Sequence, residues 1–587
     1  MAEIRELKAR YDAKLHENFR ELIEYGAEKY NTRNAFIIKH KINRKECTYE
    51  YKTFADVRDD VNAFGSKLLS MGLKDKRIAI IGKNRYEWFL TYLSTLCGLG
   101  ISVPLDKGLP LEEAESSIIR SFSDVIVFDK DHLNEVQTIK ENGNTKLECY
   151  ICMDELDEST KESFGGQLFC MPNLIKEGYE IIKSGNTEYM ELPVDRKKST
   201  IILFTSGTTS MSKAVLLSQY NITSNVYGAL QAEQFLPGDI NMAFLPYHHT
   251  FGSTGQMVML ASGITTAYCD GLKYLQKNIV EYKVSVFVCV PLLIESIYKK
   301  VMAEIRKQGK EKTVERGIKL SKFLLKFGID ARRKIFKDIH EKLGGNLRFV
   351  ISGASAIDPE ALEGFINFGI DAVQGYGMTE SAPIIAAESP QERKTGSIGR
   401  ALPGVQVKIV DKNEEGIGEL IAKGPNVMEG YYENPEETAK VIDEDGWLHT
   451  GDLASVDEDG FIFIRGRKKN VIVLKNGKNV YPEELEVLVS NLPYVSEVMV
   501  YGQPKHNDGD EKDLAIGLKI VYNKEYMNTT LGISDSEEIE KYIKADIDKI
   551  NEDLPVYKQM LRLIVTDEPM IKTTTGKVKR FEEAKNL

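Results

Sequence analysis

The 587-residue sequence has little of what would carry it across or out of a membrane. No apolar run reaches the ~18 residues that a spanning helix needs, and the longest, 284–294, is interrupted by Ser285 and Pro291. Residues 1–30 are charged throughout and lack the apolar core of an export signal. Cysteine is sparse. Seven residues, at 47, 97, 149, 152, 170, 269 and 289, form no disulfide framework and fit a reducing compartment. Cys149-Tyr150-Ile151-Cys152 has redox spacing, but 147–153 reads as a buried strand and no second pair of metal ligands follows. Nor is there an excess of positive charge: 77 Lys and Arg against 88 Asp and Glu leave −11, which excludes a chain built to coat nucleic acid. The expectation is a cytoplasmic protein that holds any anion with a few local cations.

What is present is ordinary globular composition, 42% apolar and 28% charged, in a chain about four times the ~150-residue length of one domain. Up to about residue 380, strand-like runs alternate with helical patterns: RIAIIG (77–82), DVIVFD (124–129), STIILFT (199–205), NMAFLPY (241–247), VSVFVCV (284–290) and LRFVISG (347–353). That alternation predicts mostly parallel, doubly wound sheets. After 395 the texture turns to short strands with Gly, Asn and Asp turns, as in 405–424 and 459–467. The fold class expected is α/β. A large N-terminal domain, 1–465, holds doubly wound subdomains, a helical insertion at 299–343 and a small β-barrel-like module at 385–465. A small, mobile α+β domain, 466–587, follows.

Thr205-Ser206-Gly207-Thr208-Thr209-Ser-Met-Ser-Lys213 comes straight after an apolar strand. A Ser/Thr/Gly loop ending in Lys offers hydroxyls, backbone N–H groups and an ammonium to a phosphate. It is not a P-loop, which needs Gly before the Lys and Ser or Thr after it, where Ser212 and Ala214 stand. Alone it reads equally well as a polar turn.

It is not alone. With Gly375-Tyr376-Gly377-Met-Thr379-Glu380, Thr450-Gly-Asp452, Arg465-Gly-Arg467 and Thr575-Gly-Lys577, in this order, the sequence resembles the adenylate-forming superfamily of acyl-CoA synthetases, luciferases and peptide-synthetase adenylation domains. Gly344-Gly-Asn-Leu-Arg348, Ser352-Gly353-Ala354-Ser355-Ala356 and Gly466-Arg-Lys-Lys-Asn470 are most similar to long-chain fatty acid–CoA ligases. The resemblance implies two half-reactions: a carboxylate attacks the α-phosphate of ATP and releases pyrophosphate, and the thiol of CoA then displaces AMP. It implies Mg²⁺ on Glu380, Thr379 on the α-phosphate, Tyr376 on adenine and the 353–356 backbone along the ring edge. Asp452 would accept the ribose hydroxyls with Arg467 supporting the sugar, and Lys577 would be the adenylation lysine. His249, in preference to His248, would flank the substrate carboxylate. After adenylation the C-terminal domain would turn about 466–469 and present the loop Lys475-Asn-Gly477-Lys-Asn479 to the pantetheine tunnel. Two departures stand out: Ser210, Ser212 and Ala214 replace the family's Gly, Pro and Gly, and Gly466 stands where many relatives carry Asp. Adjacent histidines would point apart, and no third ligand is evident beside them, so no metal is expected at 248–249.

The acid expected is a medium- or long-chain fatty acid, with an aryl acid, or a carrier protein in place of CoA, as alternatives. A silent nucleotide or lipid sensor is the alternative of another kind. Between 299 and 343 fifteen Lys or Arg face six Asp or Glu, a local +9 that leaves −20 for the rest. Apolar residues including Ile318, Phe323, Phe327 and Phe336 are interleaved, with breaks near Gly309 and Gly328. The segment reads either as a solvated helical excursion or as a contact with the anionic inner face of a membrane.

Overall fold

The computed structural model describes residues 4–43, 46–205, 212–504, 514–572, 578–585 and 587. Two large sheets dominate. In the first, six parallel strands run in the order Ser199–Thr205, Ile101–Leu105, Arg77–Ile81, Val125–Phe128, Cys149–Cys152 and Leu168–Cys170, and Lys213–Ser218 and Gly430–Tyr431 add an antiparallel edge. The second has nine strands. Its parallel centre is Asp371–Gly377, Phe349–Ser352, Val286–Cys289, Ile240–Ala243, Thr265–Tyr268 and Asn34–Lys41, with antiparallel strands at both edges.

The most deeply covered of these strands are short apolar runs, as a parallel strand covered on both faces requires. Val125–Phe128 and Cys149–Cys152 are buried at every residue. Burial pushes the thiols of Cys149 and Cys152 up to about 12, which disposes of a reactive dithiol there. Between the sheets lies the largest apolar cluster, with Trp88, Phe89, Tyr92, Phe36 and Tyr247 at its centre. Helix Tyr86–Ser94 is buried on nearly every face, a helix in the middle of a sandwich rather than on its surface.

The β-rich module is a four-stranded antiparallel sheet in the order Gln406–Val410, Gly418–Lys423, Leu448–Val456, Ile462–Arg467. Its last strand also exchanges backbone hydrogen bonds with Ile398 and Gly399, which ties it to the second large sheet. Beyond it, Ile472, Leu485, Leu518, Ile520, Ile543 and Met560 build a separate core under a three-stranded sheet, Val495–Pro504, Leu514–Tyr522 and Met560–Thr566. The basic insertion folds as helices Pro291–Lys307 and Glu311–Leu325 with two short turns of helix after them, and Gly309 and Gly328 take the positive φ values of 65° and 76° that end each long helix.

Candidate active site

Ligands of open α/β sheets bind beyond the carboxyl ends of the strands. Here the carboxyl ends of both sheets converge. The turn after Ile101–Leu105 brings Asp106 to His248, in the turn after Ile240–Ala243, with Nε2 3.5 Å from Oδ1. Asn84 bridges the sheets as well, donating to the Leu245 carbonyl at 2.7 Å and accepting from the Tyr247 amide at 3.1 Å.

Strand pairing sets the first group of residues. Asp452 and Arg467 are register partners on adjacent antiparallel strands, which puts the guanidinium Nε 2.8 Å from Asp452 Oδ1. Tyr376, from the carboxyl end of Asp371–Gly377, donates its hydroxyl to the other carboxylate oxygen. Burial first, and the Asp452 charge next, hold the Tyr376 phenol well above its ordinary range. Asp452 is thus a buried carboxylate that already accepts a charged and a neutral donor, with its amide on Thr450 Oγ1 at 3.1 Å.

The second group surrounds Glu380. Pro383 follows closely, and a Cβ on Gly377 would lie 1.9 Å from its carbonyl oxygen, so only glycine lets the chain double back here. The short helical turn Thr379–Ser381 starts at once, with Thr379 half-buried and Glu380 buried. Tyr431 donates its hydroxyl to Glu380 Oε1 at 2.9 Å. The ammonium of Lys213 lies 4.7 Å from the Tyr431 ring centroid and 2.7 Å from Glu437 Oε2. Hydrogen bonds from Lys213 and Lys440 hold the Glu437 carboxyl down to about 2. Thr205 joins this strand pair through its hydroxyl, 3.3 Å from the Lys213 carbonyl. Arg120 reaches Ser212 from the other side, 2.7 Å to its carbonyl and 3.1 Å to its hydroxyl.

Lys469 completes the cationic side. Burial lowers its pKa, and the charges of Arg467, Lys213 and Arg580 lower it further while Asp452 opposes them. Gly353 is buried against Phe251, whose ring a Cβ would meet at 2.9 Å, whereas Ala354 and Ser355 are exposed and Ala354 has φ 76°. Gly375 lies in the strand beside Tyr376. His249 begins helix Thr250–Ser262, half-buried, its ring 4.2 Å from that of His248. The expectation that these histidines diverge is corrected: adjacent residues at a helix start need not alternate as they do along a strand, and one nitrogen of each ring lies within 4.8 Å of an Asp106 carboxylate oxygen, the third group that was missing. Lys475 and Gly477 sit on an exposed hairpin tip between Ile472–Val473 and Asn479–Val480. Ser206, Gly207, Thr208, Thr209 and Lys577 lie outside the described residues.

Residues 24–432 match the family model described as AMP-binding enzyme, and 469–586 match that of the AMP-binding enzyme C-terminal domain. The chain belongs to the AMP-binding enzyme family. It is 29% identical over 582 residues to long-chain-fatty-acid–CoA ligase 5 of Rattus norvegicus, covering 92% of this chain and 83% of that one. To the peroxisomal long chain acyl-CoA synthetase 6 of Arabidopsis thaliana it is 28% identical, with 84% and 71% covered. In fold it is similar to the crystal structure of an anthranilate CoA ligase in complex with anthranoyl-AMP, with a TM-score of 0.74, 20% identity and 98% of both chains covered. Within this adenylate-forming superfamily it is most like the long-chain fatty acid–CoA ligases.

Tyr431, Glu437 and Asp106 escaped the sequence reading as site residues. Gly430-Tyr-Tyr and Pro435-Glu-Glu carry no pattern of their own, and their partners lie 51 and 224 positions away in the chain.

Proposed function

We propose that this protein activates a fatty acid in two steps. A carboxylate oxygen of the acid attacks the α-phosphorus of ATP, the bond to the β-phosphate breaks and pyrophosphate leaves. The sulfur of CoA then attacks the acyl carbon, the bond to the AMP oxygen breaks, and the thiol proton passes to solvent. The observation that carries the reading is that four sequence-remote stretches come together through 376–380: Tyr376 bonds Asp452, which pairs with Arg467, and four residues on, Glu380 accepts from Tyr431, whose ring lies beside Lys213.

Each group has work that its environment supports. Asp452, aligned by Arg467 and Tyr376, is an oriented acceptor for a pair of sugar hydroxyls. Lys213 and the loop before it would hold the phosphates, and Lys213 must exchange Glu437 for them. Glu380 suits Mg²⁺: a single buried hard carboxylate, with one oxygen steadied by Tyr431, is the protein share of a site whose other ligands are phosphate oxygens and water. When bound, that ion would offset the repulsion between two anionic reactants. His249 would line the carboxylate end of the acyl pocket. Lys577 would supply the cation of the first step.

Likeness to long-chain ligases along most of the chain supports a fatty acid over an aryl acid. Helix Glu311–Leu325 adds to this. Val314 and Ile318 pack inward near Phe336, while Leu320, Phe323, Phe327 and Ile329 are exposed among lysines. A basic surface with outward-facing aromatic residues suits an anionic lipid surface from which such an acid can be drawn.

Exchange of labelled pyrophosphate into ATP tests the reading. Saturated acids of increasing chain length should support exchange above the acid-free background, with a maximum at medium or long chains. A maximum on aryl acids would replace the substrate class, and exchange with none of the acids would overturn the activity.

A further inference from the structure

One group of residues at the junction of the sheets is not used as a set by the two-step reaction. One nitrogen from each of His248 and His249 and one oxygen of Asp106 all lie within 4.8 Å of one another. His248 is only 7% exposed, and its Nε2 makes no hydrogen bond among the described residues. It stands 3.5 Å from Asp106 Oδ1, long for a hydrogen bond. A buried polar atom in this position calls for a partner. The spacing is that of two ligands on one small ion, because nitrogen and oxygen donors at 2.0–2.2 Å from a tetrahedral centre lie roughly 3.3–3.5 Å from each other.

The surroundings hold the three donors in place. Asp106 Oδ1 also accepts from the Gly108 amide at 2.9 Å, which fixes the carboxylate in its turn. The histidine turn is closed by the His249 amide on the Pro246 carbonyl at 3.2 Å, and its carbonyl accepts from the Ser253 hydroxyl at the same distance. Asn84 clamps the preceding residues to the opposite sheet. Donors oriented by hydrogen bonds to the backbone are what raises metal affinity in built sites.

We propose that Asp106, His248 and His249 form a site for a borderline transition ion of the Zn²⁺ class. Two imidazoles and a carboxylate suit Zn²⁺ or Co²⁺, whereas Mg²⁺ prefers an all-oxygen shell. Three protein ligands leave a fourth position for water. An ion here occupies His249, which would otherwise face the substrate carboxylate, and so competes with the acid for that residue. That consequence rests on the role given above to His249, whereas ion binding itself does not.

The test uses the full chain freed of metal by a chelator. Zn²⁺ binding is followed by calorimetry, and Co²⁺ binding by the visible absorption of a tetrahedral complex. One ion per chain is expected, weakened at least tenfold in His248→Gln and in Asp106→Asn, each checked for folding by circular dichroism. Should one variant not fold, the other, together with the Co²⁺ spectrum of the native chain, still decides. No uptake by the native chain, or uptake unchanged in both variants, would overturn the site. Zn²⁺ should also inhibit pyrophosphate exchange, and rising acid concentration should relieve the inhibition. Binding without any effect on exchange would overturn the link to the acid pocket and leave the two-step reaction untouched.

Discussion

Asp452 and Glu388 show how differently two buried carboxylates can be treated. Asp452 is surrounded by donors, so its charge is what the site is built around. Asp452→Asn keeps the shape and removes the charge. A charged hydrogen bond contributes about 1.5–3 kcal/mol, so KM for ATP is expected to rise roughly 10- to 100-fold, with the circular dichroism spectrum unchanged. An unaltered KM would remove the sugar-binding role. Glu388, 1% exposed and paired with Gln374, is the opposite case. Burial is the main cause that lifts its carboxyl to about 7, against hydrogen bonds from the Lys394 and Gln374 amides that pull it down. The unfolded chain releases this proton near ~4.3. Between those values the folded state keeps a proton that the unfolded state has lost, so the group's contribution to stability is greatest at low pH and fades as pH rises to about 7. The free energy of unfolding should fall from pH 5 to pH 8 more steeply in the native chain than in Glu388→Gln, by a difference of at most about 3 kcal/mol. Equal slopes would contradict it.

Elements were legible in the sequence where one physical cause dominated. Ser199–Thr205, Val125–Phe128 and Cys149–Cys152 are apolar runs that have nowhere to go but a covered sheet, and Ser536–Glu552 declares its helix by period and by the Asp535 cap. The shared site was legible through short motifs. What faces each motif was not: the pairing of Glu380 with Tyr431, or of Asp106 with His248, is decided by how two sheets dock and leaves no local trace. Helix Glu311–Leu325 is a middle case, because its basic, apolar pattern was plain but which apolar residues face outward needed the packing. Phe336 and Ile339 turn out buried, and Phe323 and Phe327 exposed at 58% and 68%. Replacing both exposed rings, Phe323→Ser with Phe327→Ser, should abolish flotation with vesicles containing anionic lipid while leaving turnover of detergent-dispersed acid unchanged. Undiminished flotation would show that this face does not dock.

At the scale of the whole molecule, the C-terminal unit has its own core, and among the described residues it meets the body through pairs that include Tyr481 with Asn413, Lys468 with Glu419 and Glu484 with Arg465. Gly466 has φ 151°, and a Cβ there would lie 2.6 Å from Glu483 Oε2 across the junction, so the glycine that replaces the family's frequent Asp lets the two units approach. In the proposed reaction this unit turns between the two steps, bringing one cation for the first and a different loop for the second. Lys577→Ala should therefore lower pyrophosphate exchange by 10²-fold or more, in the range for losing one charge-stabilising group, yet spare thioester formation from supplied acyl-adenylate. Equal loss of both steps would reject that division.

The account's central claim is that the acid attacks the α-phosphorus, and oxygen isotope transfer reads this directly. A fatty acid labelled with ¹⁸O in its carboxyl group is turned over with ATP, Mg²⁺ and CoA, and the products are examined by mass spectrometry. The account predicts one labelled oxygen in AMP and none in pyrophosphate. Label in inorganic phosphate, with ADP as the nucleotide product, would mean attack at the γ-phosphorus and would contradict it.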